Sequence, residues 1–86
     1  PQLLDAYSML GQIYIRQNRA ADALREFETL ASLQPGAIGP PTIVGMLHYA
    51  AGRTAEARKQ YEAVLQLDRS AVVAANNLAW MTMEEG

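Results

Sequence analysis

Few side chains in this sequence could do chemistry. His48 is the single histidine of the 86 residues, and a lone imidazole acts as a base or metal ligand only when other groups converge on it. Cysteine is absent, which removes thiol nucleophiles, zinc ribbons and disulfide frameworks while leaving cytoplasm and periplasm equally open. Glu84 and Glu85 are adjacent. On a helix neighbours point about 100° apart, so the pair does not share one proton or metal and reads as a solvated terminus. No Ser-His-Asp set or phosphate-binding glycine loop is present, so the expectation is a protein that is not an enzyme and carries no catalytic residue, cofactor or metal.

The charged residues are equally quiet. Asp22, Arg25, Glu26 and Glu28, and then Arg58, Lys59 and Glu62, read as solvated outer faces with local ion pairs at Asp22-Arg25 and Glu56-Lys59. A net charge of -2 with seven scattered Lys and Arg argues against nucleic acid. No apolar run approaches the roughly 20 residues of a membrane span, and no signal peptide is visible at Pro1-Asp5, so no membrane insertion is expected.

What organises the chain is repetition. Gly11 and Gly45 are 34 residues apart, as are Ala23 and Ala57, Phe27 and Tyr61, Glu28 and Glu62, Leu33 and Leu67, and the series Leu10, Val44, Leu78. Apolar residues at Leu3, Tyr7, Leu10 and Tyr14, then at Ala23, Leu24, Phe27, Leu30 and Leu33, recur at the spacing of one helix face. The spacing predicts helices near 3-17, 20-33, 40-51, 54-67 and 71-84. Asn18-Arg19 and Gly52-Arg53 suit left-handed helix ends, while Pro35-Gly36 and Gly39-Pro40-Pro41 stop one helix and start another. Thr54, with Glu56 behind it, suits an N-terminal cap. A glycine inside a helix costs about 1 kcal/mol relative to alanine, so Gly11 and Gly45 are expected to be offset by close helix packing.

The first unit reads Tyr7-x2-Leu10-Gly11-x2-Tyr14, then Ala23-x3-Phe27, then Pro35, and so resembles the tetratricopeptide repeat, W-x2-L-G-x2-Y, A-x3-F, P. The second reads Pro41-x2-Val44-Gly45-x2-His48, then Ala57-x3-Tyr61, with Arg69 at the closing proline; Leu78, Ala79 and Thr82 open a third. The resemblance implies an all-α, right-handed superhelix of about five antiparallel-packed helices, one array fragment over 1-86 with units near 4-37 and 38-71 and half a unit at 72-86. His48 stands where the first unit has Tyr14 and is expected to pack between helices. Asn76-Asn77-Leu78-Ala79-Trp80 looks like a run common in bacterial members.

The family's concave groove is lined by the first helix of each unit. Carried over position by position, it comprises Asp5, Ser8, Gln12, Ile15 and Arg16, then Thr42, Met46 and Tyr49, then Asn76, Trp80, Met83 and Glu84. The clamp for chaperone carboxylate tails needs lysines, arginine and asparagines where this chain has Ser8, Gln12, Thr42, Ile43 and Met46, so that ligand is disfavoured. Ile15, Met46, Tyr49, Trp80 and Met83 form an apolar stripe of the kind that receives a peptide or amphipathic helix. The competing reading is that Trp80 packs beneath further helices. Self-association through an open C-terminal end, and service as the docking segment of a larger enzyme, are the alternative functions.

Overall fold

The computed structural model describes residues 2-85, with side chains described over 9-84. Leu3, Asp5, Tyr7, Ser8 and Glu85 therefore have no side-chain description here. Five helices follow one another: α1 (Gln2–Arg16), α2 (Ala20–Leu33), α3 (Gly39–Ala50), α4 (Thr54–Leu67) and α5 (Val72–Glu85). Among the described residues there is no strand. The chain is an all-α helical repeat solenoid; α2 and α4 stand one 34-residue period apart at both ends, as α1 and α3 do at their C-terminal ends.

The turns within the first two units are built alike. Asn18 (φ 58°) and Gly52 (φ 82°) take the left-handed conformation. Asn18 N–H then bonds the Ile15 carbonyl and Gly52 N–H the Tyr49 carbonyl, each at 3.0 Å, while Arg19 N–H reaches back to Tyr14 and Arg53 N–H to His48, each at 2.8 Å. This pair of bonds satisfies carbonyls that a helix end otherwise leaves open. The two arginine side chains fold back over the same period position. Arg19 lies 5.2 Å from the Tyr14 ring centroid, and Arg53 Nε–H donates to His48 Nδ1 at 2.9 Å.

Helix starts follow the expectation less closely. Pro40 sits in the first turn of α3, where a missing N–H costs nothing. Thr54 is already the first residue of α4; Arg53 precedes it, with no side-chain cap. Before α5, Asp68 accepts from both Ser70 N–H (2.9 Å) and Ser70 O–H (2.6 Å), a turn stabilised by its own carboxylate. Helix α5 accordingly begins at Val72 rather than at residue 71.

The core is divided between the steps of the stack. Ala23 and Phe27 of α2 pack with Ile43, Val44 and Leu47 of α3, and Ala57, Tyr61 and Val64 of α4 pack with Ala71, Ala74 and Met81. Met46 touches both clusters. Phe27 and Tyr61 thus fill the space toward the next unit, as the repeat implies. Helix α3 packs against α1, α2 and α4, and nine of its twelve residues are buried. Leu10, Leu33 and Leu67 are exposed, although periodicity places them on the apolar faces; Leu33 and Leu67 end their helices beyond the reach of the next unit.

The two helical glycines are offset differently. A Cβ at Gly45 would lie 2.6 Å from Tyr61 Cε1, so the glycine lets α4 lay its tyrosine on α3. A Cβ at Gly11 would meet Ile43 Cγ2 at 3.1 Å. Close approach at Gly11 is therefore to the next unit, not to its own second helix.

Two outcomes follow from this packing. Gly45→Ala gains helix propensity but forces the buried Tyr61 ring to move, so it is expected to destabilise the fold by about 1–3 kcal/mol, read as a fall in Tm of roughly 4–8 °C per kcal/mol. Combining it with Tyr61→Leu should cost less than the sum of the two single changes; strict additivity would mean that the contact is not what Gly45 serves. At Asp68 the Ser70 hydrogen bonds hold the carboxyl below its ordinary 3.8, so its stabilisation is present above that pH and is lost as pH falls through the lower folded value. Asp68→Ala should therefore have the lower Tm at neutral pH, with the two curves converging in acid.

Candidate functional site

The groove positions fall on α1, α3 and α5, and the structure sorts them. Gln12, Arg16 and Asn76 are exposed. Ile15 is 37% exposed, Trp80 57% and Met83 73%; Ile15 and Met83 stand two periods apart, and Trp80 precedes Met83 by about one turn. Met46 and Tyr49 are half-buried, forming a floor rather than a rim. Thr42 departs from the set at 1% exposure. Its hydroxyl donates to the Ile38 carbonyl at 2.7 Å, and the whole first turn of α3 around it is buried, so it belongs to the interior of the stack.

The closest-knit part of the surface joins α3 to α5. Tyr49 O–H donates to Glu84 Oε1, and the Trp80 indole lies close enough to the same phenol to lower its pKa. The Glu84 bond, some desolvation and the nearby carboxylate charge together raise the Tyr49 pKa above 10.0, with Trp80 pulling it down slightly. Tyr61 lies just beneath. Burial pushes its phenol to about 12, despite the nearby Asn77 amide, which lowers it, and Tyr49 is near enough to add to the rise. Tyr49 and Glu84 thus join α3 to α5 by a hydrogen bond, with Trp80 beside them and more than half exposed.

Sequence reasoning named these three residues but not their linkage. Tyr49 and Glu84 are 35 apart, one more than the period, and only that near-coincidence could have pointed to the contact. His48 turns out as expected. It is 8% exposed, and its Nδ1 is taken up by Arg53, which leaves the ring a structural partner of the turn. Among the described residues no group of His, Asp and Glu could hold a metal ion, and no helix is long and apolar enough to cross a membrane. Two shallow depressions, lined by Leu65, Gln66 and Arg69 and by Arg25, Glu26, Thr29 and Leu30, lie away from the stripe.

Trp80 is the single tryptophan, so its emission reports this cluster alone. Tyr49→Phe removes the hydroxyl that joins α3 to α5 and should shift the emission to the red and increase quenching by acrylamide. Unchanged emission would show that Tyr49 does not order the indole. In the wild type the same change should appear at high pH. The raised phenol pKa means that the neutral form's contribution is intact below pH 10.0 and is lost as pH rises through the folded value.

Comparison with known proteins bears on what such a surface is for. Family models described as tetratricopeptide repeat match residues 4–37 and again residues 43–70. No curated protein matches the chain. Repeats of this kind are generally non-catalytic modules of protein–protein interaction that take proteins or peptides as partners. With five stacked helices, two like-built turns and family matches over 4–37 and 43–70, the chain belongs to the tetratricopeptide repeat family.

Proposed function

We propose that this chain is a non-catalytic scaffold that receives an amphipathic helix or an extended apolar segment of another protein along α1, α3 and α5. In this reading it is one array, with units near 4-37 and 38-71 and a half unit from 72. The observation that carries the reading is the exposure of Trp80 and Met83 beside a half-buried Met46 and Tyr49. A large aromatic ring supplies much contact area at small entropic cost, and methionines adapt to varied apolar partners. Gln12, Ile15, Arg16 and Asn76 complete the surface. Thr42 is dropped from it because it is buried, and Ser8 keeps its place only by register.

Self-association is the second reading, favoured by the exposure of Val72, Trp80 and Met83 together on α5. The two readings differ in what sedimentation shows across a concentration series.

The test begins with a peptide selected from a display library against the wild-type protein. Backbone amide shifts on binding should gather at Gln12, Ile15, Met46, Tyr49, Trp80 and Met83. Trp80→Ala should weaken the peptide by about tenfold or more, equivalent to roughly 1.4 kcal/mol, while Glu28→Ala on the outer face leaves it unchanged. Shifts confined to α2 and α4, or a Trp80→Ala variant that binds as well as wild type, would overturn the groove reading. A mass that doubles with concentration and falls back in Trp80→Ala would favour self-association.

A further inference from the structure

We propose that Tyr49, Trp80 and Glu84 form a subsite for a guanidinium, so that the segment bound in the groove places an arginine side chain there; this rests on the groove reading above. The argument starts with what each group has left to offer. The Tyr49 hydroxyl is engaged by Glu84 Oε1, and the Trp80 indole stands beside that pair with more than half of its surface open. An exposed indole has a π face that attracts cations. Glu84 is a carboxylate held in place on one oxygen, and among the described residues no cation pairs with it.

The setting adds to the same preference. Glu84 lies in the last turn of α5, which contains no basic residue, and the carbonyl end of a helix carries partial negative charge that favours a cation. Glu85 follows it directly in a chain of net charge -2. A guanidinium suits these groups better than an ammonium. Its plane can stack on the indole while its N–H groups fork toward a carboxylate.

The molecule already contains this arrangement once, made from its own residues. At Tyr14, the Arg19 guanidinium stands over the ring at 5.2 Å from the centroid, and the neighbouring Glu26 carboxylate raises the phenol pKa. Around Tyr49 the aromatic groups and a carboxylate beside the phenol are again present. The guanidinium is the member of the set that an incoming chain would supply. Such a subsite would also give the groove a direction, since an apolar stripe alone does not distinguish the two orientations of a peptide.

The probes are three tryptophan-free peptides, Ac-Ala-Leu-Arg-Leu-Ala-amide and its citrulline and norleucine counterparts, titrated into the intact chain while Trp80 emission is followed. The arginine peptide should give a saturable change and bind at least about fivefold more tightly than the citrulline peptide, an advantage that shrinks with added salt. In Glu84→Gln, whose amide oxygen can still accept from Tyr49, that advantage should fall to about twofold or less, because only the charge has been removed. Saturable binding of all three peptides with equal affinity would overturn the guanidinium subsite and leave the apolar groove standing. An arginine preference that survives in Glu84→Gln would also overturn it. If the display-selected peptide maps to α2 and α4, the groove reading fails first, and the subsite fails with it.

Discussion

Much of this structure depends on one close contact, the Tyr61 ring lying on the backbone of α3 at Gly45. A side chain there would hold α4 away from α3. Because none is present, Tyr61 can be buried between its own unit and the next, where it meets Ala71, Ala74 and Met81. The Asn77 amide of α5 stands close enough to its hydroxyl to lower the phenol pKa. The seat of α5, and therefore the placement of Trp80 and Glu84, is set by a tyrosine that fits only over a glycine. The helix-propensity cost of Gly45 is offset by the approach it permits.

The same logic explains why the core is segmented. An amphipathic helix pair cannot bury its apolar face alone, so each unit closes against its neighbour, and stability approaches a sum of nearest-neighbour terms. Phe27 serves the first step and Tyr61 the second, with Met46 spanning the two clusters. An unbranched, flexible side chain suits that position because it must fit two surfaces at once. Within each unit the left-handed residue and the returning arginine make the turn a self-contained device. It needs no contact from the next unit, so the units can share a turn geometry while differing between Tyr14 and His48 in what the arginine covers.

The repeat made most of the fold legible. A 34-residue period, left-handed candidates at Asn18 and Gly52, and prolines at the start of α3 locate the elements, because all three signals act through local backbone chemistry. What the period could not convey is how deeply each copy of a position is buried. Thr42 shares its register with exposed Asn76, yet it lies inside the stack because α3 is covered by three helices and its hydroxyl is satisfied by Ile38. Gly11 and Gly45 share a register and serve different neighbours for the same reason. The Tyr49–Glu84 bond spans 35 residues and is a tertiary event that no 34-residue comparison reveals.

Quasi-equivalence also bears on the two readings of Trp80. If the indole belonged beneath another helix, it should stand at a position whose copies are buried between units. The buried first-helix positions of this kind are Val44 and Leu47 in α3 and Met81 in α5, while their copies in α1, Leu10 and Ile13, are exposed. Residues 34 before Trp80 and 34 before that are Met46, half-buried, and Gln12, exposed. Trp80 thus shares its register with a half-buried and an exposed residue, on a helix that Glu84 joins to Tyr49 of α3. That combination favours a surface kept for a partner over one waiting to be packed away.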